Sequence, residues 1–213
     1  MSGELVVTAK GRLVVLGAGG HGKVLVSAAQ EEGWHVIGVL DDDPSLKGQD
    51  VLGTEIMGGV DLLDRLDFDA AVIGVGANLA RQAFAGRIRT KWTTVIHPSA
   101  VVHSDAEIGV GTVIFAGAIV QPGSVIGDHV ILNTGASVDH DCRVGSFAHL
   151  APGCALAGHV TVGEGAFVGI GSTAIPGAVI GAWATVGAGA SVVQPVEDGM
   201  TVVGVPAHPV YRT

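Results

Sequence analysis

Charged and aromatic side chains are scarce in this 213-residue chain, and its few basic residues do not cluster. Aromatic residues make up 4% and charged residues 15%, and 20 acidic side chains against 11 basic ones give a net charge of −9. Binding to a nucleic-acid backbone needs clustered lysine and arginine, so we expect no nucleic-acid partner. The two cysteines, Cys142 and Cys154, form no C-x-x-C pair. We expect them to be packing residues rather than metal ligands or nucleophiles.

Long apolar runs are missing as well. No stretch of about 18 apolar residues could span a bilayer, and residues 1–12 are too short and too polar for a signal peptide. We therefore expect a soluble, cytoplasmic protein with no membrane partner. The chain does contain 34 glycines, and 48% of its residues are hydrophobic. This combination indicates a backbone that turns often and packs small side chains.

The first part of the chain alternates between predicted strands and helices. A buried strand, Leu13–Leu16, leads through a glycine turn into a helix predicted over Lys23–Glu32. Gly17, Gly19 and Gly22 match the pattern G-x-G-x-x-G, in which glycines permit a tight turn and let the backbone approach a phosphate at the helix N-terminus. A tight turn that binds no ligand gives the same pattern, so this alternative stays open.

Two more strands complete this unit. The first, His35–Leu40, ends in Asp41-Asp42-Asp43, where a dinucleotide-binding fold places its ribose-binding carboxylate. The second, Asp69–Gly76, follows a short helix around Leu62–Arg65 and precedes a helix over about Leu79–Arg89. This is one mononucleotide half of a Rossmann fold, whereas a dinucleotide site needs two halves. We predict an α/β half-Rossmann domain over residues 1–97 that binds a nucleotide-type ligand, and an NAD oxidoreductase is the disfavoured alternative.

From residue 100 the sequence repeats every six residues. Sixteen consecutive hexads, beginning AVVHSD AEIGVG TVIFAG, fit without an insertion. The third position is aliphatic in all of them except at Ala174, and the first position is small or valine. Such a repeat is typical of a parallel β-helix. With three hexads in each coil, we predict a triangular prism over residues 98–213, with the third-position side chains inside it and the first-position side chains near its corners.

Four motifs carry a resemblance to a known family: GAGGHG (17–22), VLDDD (39–43), NTGASVDHDCRVG (133–145) and VVGVPA (202–207). The chain resembles the sialic-acid O-acetyltransferases and bacillosamine-pathway nucleotide-sugar N-acetyltransferases, which are hexapeptide-repeat acyltransferases. The resemblance covers residues 12–207. It implies a left-handed β-helix, acetyl-CoA as co-substrate without a metal, a nucleotide-sugar substrate, and a homotrimer with active sites between protomers.

The triplet Asp139-His140-Asp141 is the candidate catalytic site. Val138 occupies an inward third position, so the triplet falls at the following corner, where side chains leave the prism. Acyl transfer to an amine requires a base, and a histidine oriented by a carboxylate is suited to that role near neutral pH. The resemblance implies that His140 is the general base and that Asp141 supports it. Asp139 is the alternative supporting acid, because both flanking positions carry aspartate.

The resemblance implies further roles in both domains. His149 would contact acetyl-CoA, and the Gly158 amide would donate a hydrogen bond to the thioester carbonyl, as in an oxyanion hole. Ile170 and Ala188 would contact the pantetheine arm through their backbone. The residues expected to bind the nucleotide sugar are Gly19, Gly20, His21, Asp41, Asp42 and Gly76. The first three would meet the sugar diphosphate and the two aspartates the nucleoside.

The predicted function is transfer of an acetyl group from acetyl-CoA to an amino group of a nucleotide-activated sugar. Sugar O-acetylation is an alternative, and a non-catalytic nucleotide-sugar-binding scaffold is another. A metal site would use His129, His140, His149 and His159. Their spacing differs from the histidine pair, five residues apart, of the zinc hydratases that share the prism fold, so we expect no metal.

The outer faces of the prism are predicted to be too apolar for an isolated solenoid. Val101, Val113 and Leu156 are the side chains on which this expectation rests. Burial of these faces between three protomers would remove the exposed apolar surface.

Overall fold

The computed structural model describes residues 10–210. Residues 1–9 and 211–213 lie outside the described residues. The first of these ranges contains most of residues 1–12, where the sequence predicts no signal peptide. Among residues 10–210, no helix has the length and apolar character needed to cross a membrane.

The first 80 or so described residues form an α/β domain around a five-stranded sheet. Its elements are β1 (Gly11–Leu16), α1 (Gly20–Glu31), β2 (Trp34–Leu40), β3 (Asp50–Val51), β4 (Thr54–Gly58), β5 (Ala70–Ile73) and α2 (Asn78–Arg87), with 3₁₀ turns at Pro44–Leu46 and Val60–Arg65. The strand order is β3-β4-β2-β1-β5, and only the β3–β4 pair is antiparallel. The half-Rossmann prediction is confirmed. The hairpin of β3 and β4 was not predicted, and the predicted helix around residues 62–65 is a 3₁₀ turn.

The glycine turn has the conformation that its sequence predicts. Gly17 has a φ of 114°, a backbone conformation that residues with a side chain rarely adopt. Helix α1 begins at Gly20, three residues before the predicted start at Lys23. A Cβ atom at Gly22 would collide with the carbonyl oxygen of Gly17. The first turn of α1 therefore packs directly against the end of β1 because position 22 has no side chain.

The hexads form a left-handed parallel β-helix with three faces, as predicted. Face 1 consists of β7 (Val101–Val102), β10 (Ile119–Val120), β13 (Ser137–Val138), β16 (Ala155–Leu156), β19 (Thr173–Ala174) and β22 (Ser191–Val192). Face 2 consists of β8 (Glu107–Ile108), β11 (Val125–Ile126), β14 (Arg143–Val144), β17 (Thr161–Val162) and β20 (Val179–Ile180). Face 3 consists of β6 (Val95–Ile96), β9 (Val113–Ile114), β12 (Ile131–Leu132), β15 (His149–Leu150), β18 (Phe167–Val168), β21 (Thr185–Val186), β23 (Thr201–Val203) and β24 (His208–Pro209).

The prism interior contains the first-position and third-position side chains of the hexads. Val138 and Leu150, at third positions, are fully buried, and so are Cys142 and Cys154 at first positions. The two cysteines are free thiols that pack in this core, which confirms their prediction as packing residues. Each strand pairs with the strand one coil further on, as Ile119 does with Ser137, so identical positions stack along the prism.

Two of the three residues expected to form an apolar outer surface are buried within the chain. Leu156 is 2% exposed because it occupies an inward third position, and Val113 is 1% exposed because the N-terminal domain covers it. The expectation was therefore wrong for both. Val101 is 62% exposed on face 1, as expected, and other apolar side chains accompany it there: Ile119, Ile175 and Val193.

The N-terminal domain packs on face 3. Leu25 and Val26 of α1 share one buried cluster with Val113, Phe115 and Ile131 of the prism. The first strand on this face, β6, lies just before residue 98 and pairs with β9. The division of the chain into functional domains at residue 98 stays a prediction.

A buried arginine fastens α2 to the corner between faces 2 and 3. Arg81 is 1% exposed, and its Nε donates to the backbone oxygen of His129 at 2.8 Å. Its Nη2 donates to the backbone oxygen of Phe147 at 2.6 Å, and its Nη1 donates to that of Gly76 at 3.0 Å. Burial lowers the pKa of Arg81 to about 10. One side chain thus joins the loop after β5 to two coils of the prism.

The corner that contains residues 139–141 lies on the opposite side of the prism from the N-terminal domain. It connects β13 on face 1 to β14 on face 2. In a triangular prism, the edge between faces 1 and 2 is opposite face 3. The predicted catalytic corner and the predicted nucleotide-sugar domain of one chain therefore point in different directions.

Candidate active site

His140 and Asp141 form a hydrogen-bonded pair at the corner between faces 1 and 2. Nδ1 of His140 lies 2.8 Å from Oδ2 of Asp141, and about half of each side chain is exposed. This hydrogen bond is the main reason why the pKa of His140 is raised and the pKa of Asp141 is lowered. An exposed imidazole held by a carboxylate at one nitrogen can accept a substrate proton at the other, Nε2.

Asp139 makes a different contact. Its Oδ1 accepts a hydrogen bond from the backbone N–H of His140 at 2.7 Å. Of the two flanking carboxylates, the structure thus places Asp141, and not Asp139, at the ring nitrogen of His140.

The backbone at this corner is strained where side chains replace glycine. Asp141 has a φ of 58° and His159, one coil further on, has a φ of 61°, whereas Gly123 and Gly177 occupy the equivalent positions of the flanking coils. A left-handed conformation costs a residue with a Cβ atom about 1–2 kcal/mol. Nε2 of His159 lies 3.8 Å from Oδ2 of Asp141, and its ring meets the His140 ring edge-on at 5.1 Å.

Gly158 lies directly against Nε2 of His140. A Cβ atom at position 158 would stand 2.5 Å from Nε2 of His140. Any other residue would therefore displace the imidazole ring. Gly158 is buried, and within residues 10–210 its N–H has no hydrogen-bond acceptor.

A groove of about 410 Å³ runs along face 1 beside this corner, and it is large enough for part of a small-molecule ligand. Small and weakly polar side chains form most of its floor, which includes Ser137, Ala155, Ala157 and Thr173, and Asp139 lies at its His140 end.

His21 and His149 come together on the other side of the prism, where α1 meets face 3. Their ring centroids are 6.1 Å apart, and Nε2 of His149 lies 3.1 Å from the Asn133 amide nitrogen. Burial, followed by the charge of Arg81, lowers the pKa of His149 to about 4, and burial lowers that of His21 to about 3. Both rings are therefore neutral at physiological pH. His21 also faces Gly76, another predicted sugar contact, since a Cβ atom there would lie 3.6 Å from the His21 side chain.

The glycine turn is open on its outer side. No atom lies within 4 Å of the positions that Cβ atoms of Gly19 and Gly20 would occupy. Both glycines line a pocket of about 230 Å³, together with Lys23 of α1. A ligand phosphate can approach this backbone closely, and Lys23, whose role was not predicted from the sequence, supplies a positive charge at the same pocket.

Asp41 and Asp42 both have partners within the domain. Asp41 accepts hydrogen bonds from the N–H groups of Ala18 at 2.7 Å and Asp43 at 2.9 Å, so its carboxylate holds the glycine turn. Asp42 accepts from the Val60 N–H at 2.9 Å and from Arg87 at 3.0 Å. The Val60 N–H is the main cause that lowers the pKa of Asp42. Their contact with a nucleoside stays a prediction.

Ile170 and Ala188 lie at the third corner, between faces 3 and 1. Both side chains are exposed, and the backbone oxygen of Ile170 accepts a hydrogen bond from Gly189. The predicted site residues of one chain therefore form separate groups. One contains His140, Asp141 and Gly158, a second lies at the N-terminal domain and face 3, and Ile170 and Ala188 form a third.

Comparison with known proteins agrees with this architecture in both domains. Residues 12–88 match the PglD N-terminal domain family. PerB from Caulobacter crescentus, solved in complex with CoA and GDP-perosamine, is 40% identical with a TM-score of 0.89, over 95% of this chain and 99% of that one. The chain belongs to the hexapeptide-repeat nucleotide-sugar N-acetyltransferases. No curated protein sequence matches the chain.

Two further solved structures are similar to this chain over most of its length. The acetyltransferase domain of PglB from Neisseria gonorrhoeae, also solved with acetyl coenzyme A, is 38% identical with a TM-score of 0.87, over 93% of this chain and 99% (98% in the complex) of that chain. WeeI from Acinetobacter baumannii is 25% identical with a TM-score of 0.77, over 93% of this chain and 99% of that one. The protein is an acetyl-CoA-dependent enzyme that acetylates an amino group of a nucleotide sugar.

Proposed function

We propose that His140 is the general base of this N-acetyltransferase and that Asp141 orients and supports it. The observation that carries this proposal is the 2.8 Å contact between Nδ1 of His140 and Asp141, which directs Nε2 toward the Gly158 side of the corner. His140 takes the proton from the amino group of the sugar as the nitrogen of that amino group attacks the thioester carbonyl carbon. The Gly158 N–H donates to the acyl oxygen as negative charge develops there. His140 then gives the proton to the departing CoA sulfur.

We propose that the active site forms between two chains of a homotrimer. His140 lies opposite the face that bears the N-terminal domain of the same chain, so a nucleotide sugar held at that domain's glycine turn is directed away from it. The exposed apolar side chains on face 1, with Val101 at 62% and Ile175 at 44%, favour burial of that face against a neighbour. Residues 1–97 of one protomer would then present the sugar to residues 98–213 of the next.

The acceptor is proposed to be a GDP-linked amino sugar, because PerB was solved with GDP-perosamine. Acetyl-CoA consumption should be screened against GDP-, UDP-, CMP- and dTDP-linked amino sugars, and against their hydroxyl counterparts. We expect turnover with GDP-perosamine and none with the hydroxyl counterpart. Acetylation of only the hydroxyl sugars would contradict N-acetylation.

Since both substrates are products of cytoplasmic metabolism, we also propose a cytoplasmic location.

Asp141→Asn should shift the pH dependence of the reaction. The base must be neutral to accept a proton, so kcat/KM rises with pH through the pKa of His140. Asp141 raises that pKa through its hydrogen bond, and its loss should move the acidic limb of the profile to lower pH while turnover falls. Asp139→Asn is the matched control. It removes a carboxylate that acts on the ring only through its charge, so its shift should be smaller. A larger shift in the control would make Asp139 the supporting acid.

Damage to the two binding regions should affect different substrates. Gly19→Leu fills the open space at the glycine turn, so KM for the nucleotide sugar should rise by about tenfold or more through loss of phosphate contacts with the backbone. KM for acetyl-CoA should not change. His149→Ala should raise KM for acetyl-CoA. Because His149 contacts His21, we also expect a smaller rise in KM for the nucleotide sugar. Initial rates with each substrate varied in turn measure both constants. If Gly19→Leu raised KM for acetyl-CoA and left KM for the nucleotide sugar unchanged, the assignment of the glycine turn to the nucleotide sugar would be wrong.

A further inference from the structure

The side chains of His140, Asp141 and His159 bring three potential metal ligands together at one corner. One ligand atom from each lies within 4.8 Å of the other two. Oδ2 of Asp141 is central, at 2.8 Å from Nδ1 of His140 and 3.8 Å from Nε2 of His159. Ligand atoms around a tetrahedral Zn²⁺ are roughly 3.3 Å apart, given metal–ligand bonds of about 2.0–2.1 Å. Small rotations of these exposed side chains would bring all three atoms to that spacing.

We propose that this corner is an inhibitory binding site for Zn²⁺ and similar transition-metal ions. Two imidazoles and one carboxylate are the ligand set that Zn²⁺ accepts with a fourth position left to water. All three side chains are exposed, so an ion in solution can reach them. His159 has no other assigned part in the reaction, and it occupies a left-handed position where the next coil has Gly177.

Binding of the ion would block the base whichever ring nitrogen is used. If Nδ1 of His140 binds the metal, the hydrogen bond to Asp141 is lost and the neutral ring carries its proton on Nε2, which can then accept none. If Nε2 binds, the metal occupies the accepting nitrogen directly. Inhibition thus rests on the proposed role of His140 as base, whereas metal binding by the three side chains does not.

The test is to compare metal binding and inhibition in the wild type and in His159→Asn. Asparagine tolerates the left-handed backbone at this position, so the variant should fold, and its inhibition is measured relative to its own metal-free activity. Zn²⁺ affinity is measured by calorimetry. Tetrahedral coordination is measured from the visible absorption of bound Co²⁺. His35→Asn is the control, because it removes an exposed histidine from the other domain.

The wild type and His35→Asn should bind one Zn²⁺ per chain and lose activity until a chelator is added. His159→Asn should bind at least about tenfold more weakly, because even loss of an outer ligand contact costs 10–100-fold in metal affinity, and it should resist inhibition. Equal Zn²⁺ affinity in His159→Asn would overturn the site. Binding that depends on His159 but leaves wild-type turnover intact would overturn the inhibition and contradict the role of His140, while the metal site itself would stand.

Discussion

His140→Ala is expected to lower turnover by about 10²–10⁴-fold, the range for removal of a general base. The loss should appear in kcat rather than in either KM, because the imidazole acts on the proton that leaves the amine during attack. The fold should be unaffected, since about half of this side chain is exposed and the prism core does not include it. Circular dichroism and thermal unfolding would establish that the variant is folded before steady-state rates are compared.

His103→Ala is the control for this experiment. His103 is another exposed histidine of the prism, and its Nδ1 accepts a hydrogen bond from the N–H of Asp105 within its own turn. Its removal should leave turnover within about twofold of the wild type, as expected for a surface substitution away from the site. Near-normal turnover in a folded His140→Ala variant would remove His140 from the mechanism.

Arg81→Ala is expected to be the most destabilising single substitution at the domain interface. The buried guanidinium donates to backbone oxygens on both domains, including those of Gly76, His129 and Phe147. Hydrogen bonds to charged groups contribute about 1.5–3 kcal/mol each, and loss of the donor leaves buried acceptors unpaired. We expect the free energy of unfolding to fall by about 3 kcal/mol or more, and KM for the nucleotide sugar to rise because the Gly76 loop is released.

Arg87→Ala, on the same helix, is the matched control for Arg81→Ala. Arg87 pairs with Asp42 at 3.0 Å, and more than half of each side chain is exposed. Exposed ion pairs contribute about 0–1 kcal/mol, so the unfolding free energy should change little. Urea denaturation of the two variants measures both effects. Equal destabilisation by the two substitutions would mean that Arg81 does not fasten the domains.

The repeated parts of the fold could be predicted because periodicity alone specifies them. A six-residue repeat with an aliphatic third position can bury its face only by stacking coils, so the prism and the corner position of His140 followed from the hexads. The glycine turn was equally readable, since Gly17 needs its positive φ and Gly22 its lack of a side chain. Leu156 was misassigned because its place within the hexad was misread, although the same repeat puts it inside the prism.

Contacts between the two domains could not be predicted from periodicity. Val113 is buried only because α1 packs on face 3, and nothing in the hexads indicates which face the first domain covers. Arg81 lies on an ordinary amphipathic helix, and its function depends on backbone oxygens of prism turns far away in sequence. His159 was one of four histidines considered for a metal site in the sequence, but only the stacking of coils shows that it lies beside Asp141.

Activity of mixed oligomers tests most directly the claim that each site is shared between two chains. His140→Ala and Gly19→Leu chains carrying different tags would be co-expressed in equal amounts. Oligomers containing both tags would then be isolated and assayed at a nucleotide-sugar concentration well below the raised KM of the Gly19 variant. In every cyclic trimer that contains both variants, one of the three junctions pairs an intact His140 with an intact glycine turn of the next chain, so about one third of the sites are intact. We predict recovery to about one third of wild-type activity, whereas each variant alone is nearly inactive. If His140 and the glycine turn of the same chain formed the site, every site would carry one defect, and the absence of any recovery would contradict the account.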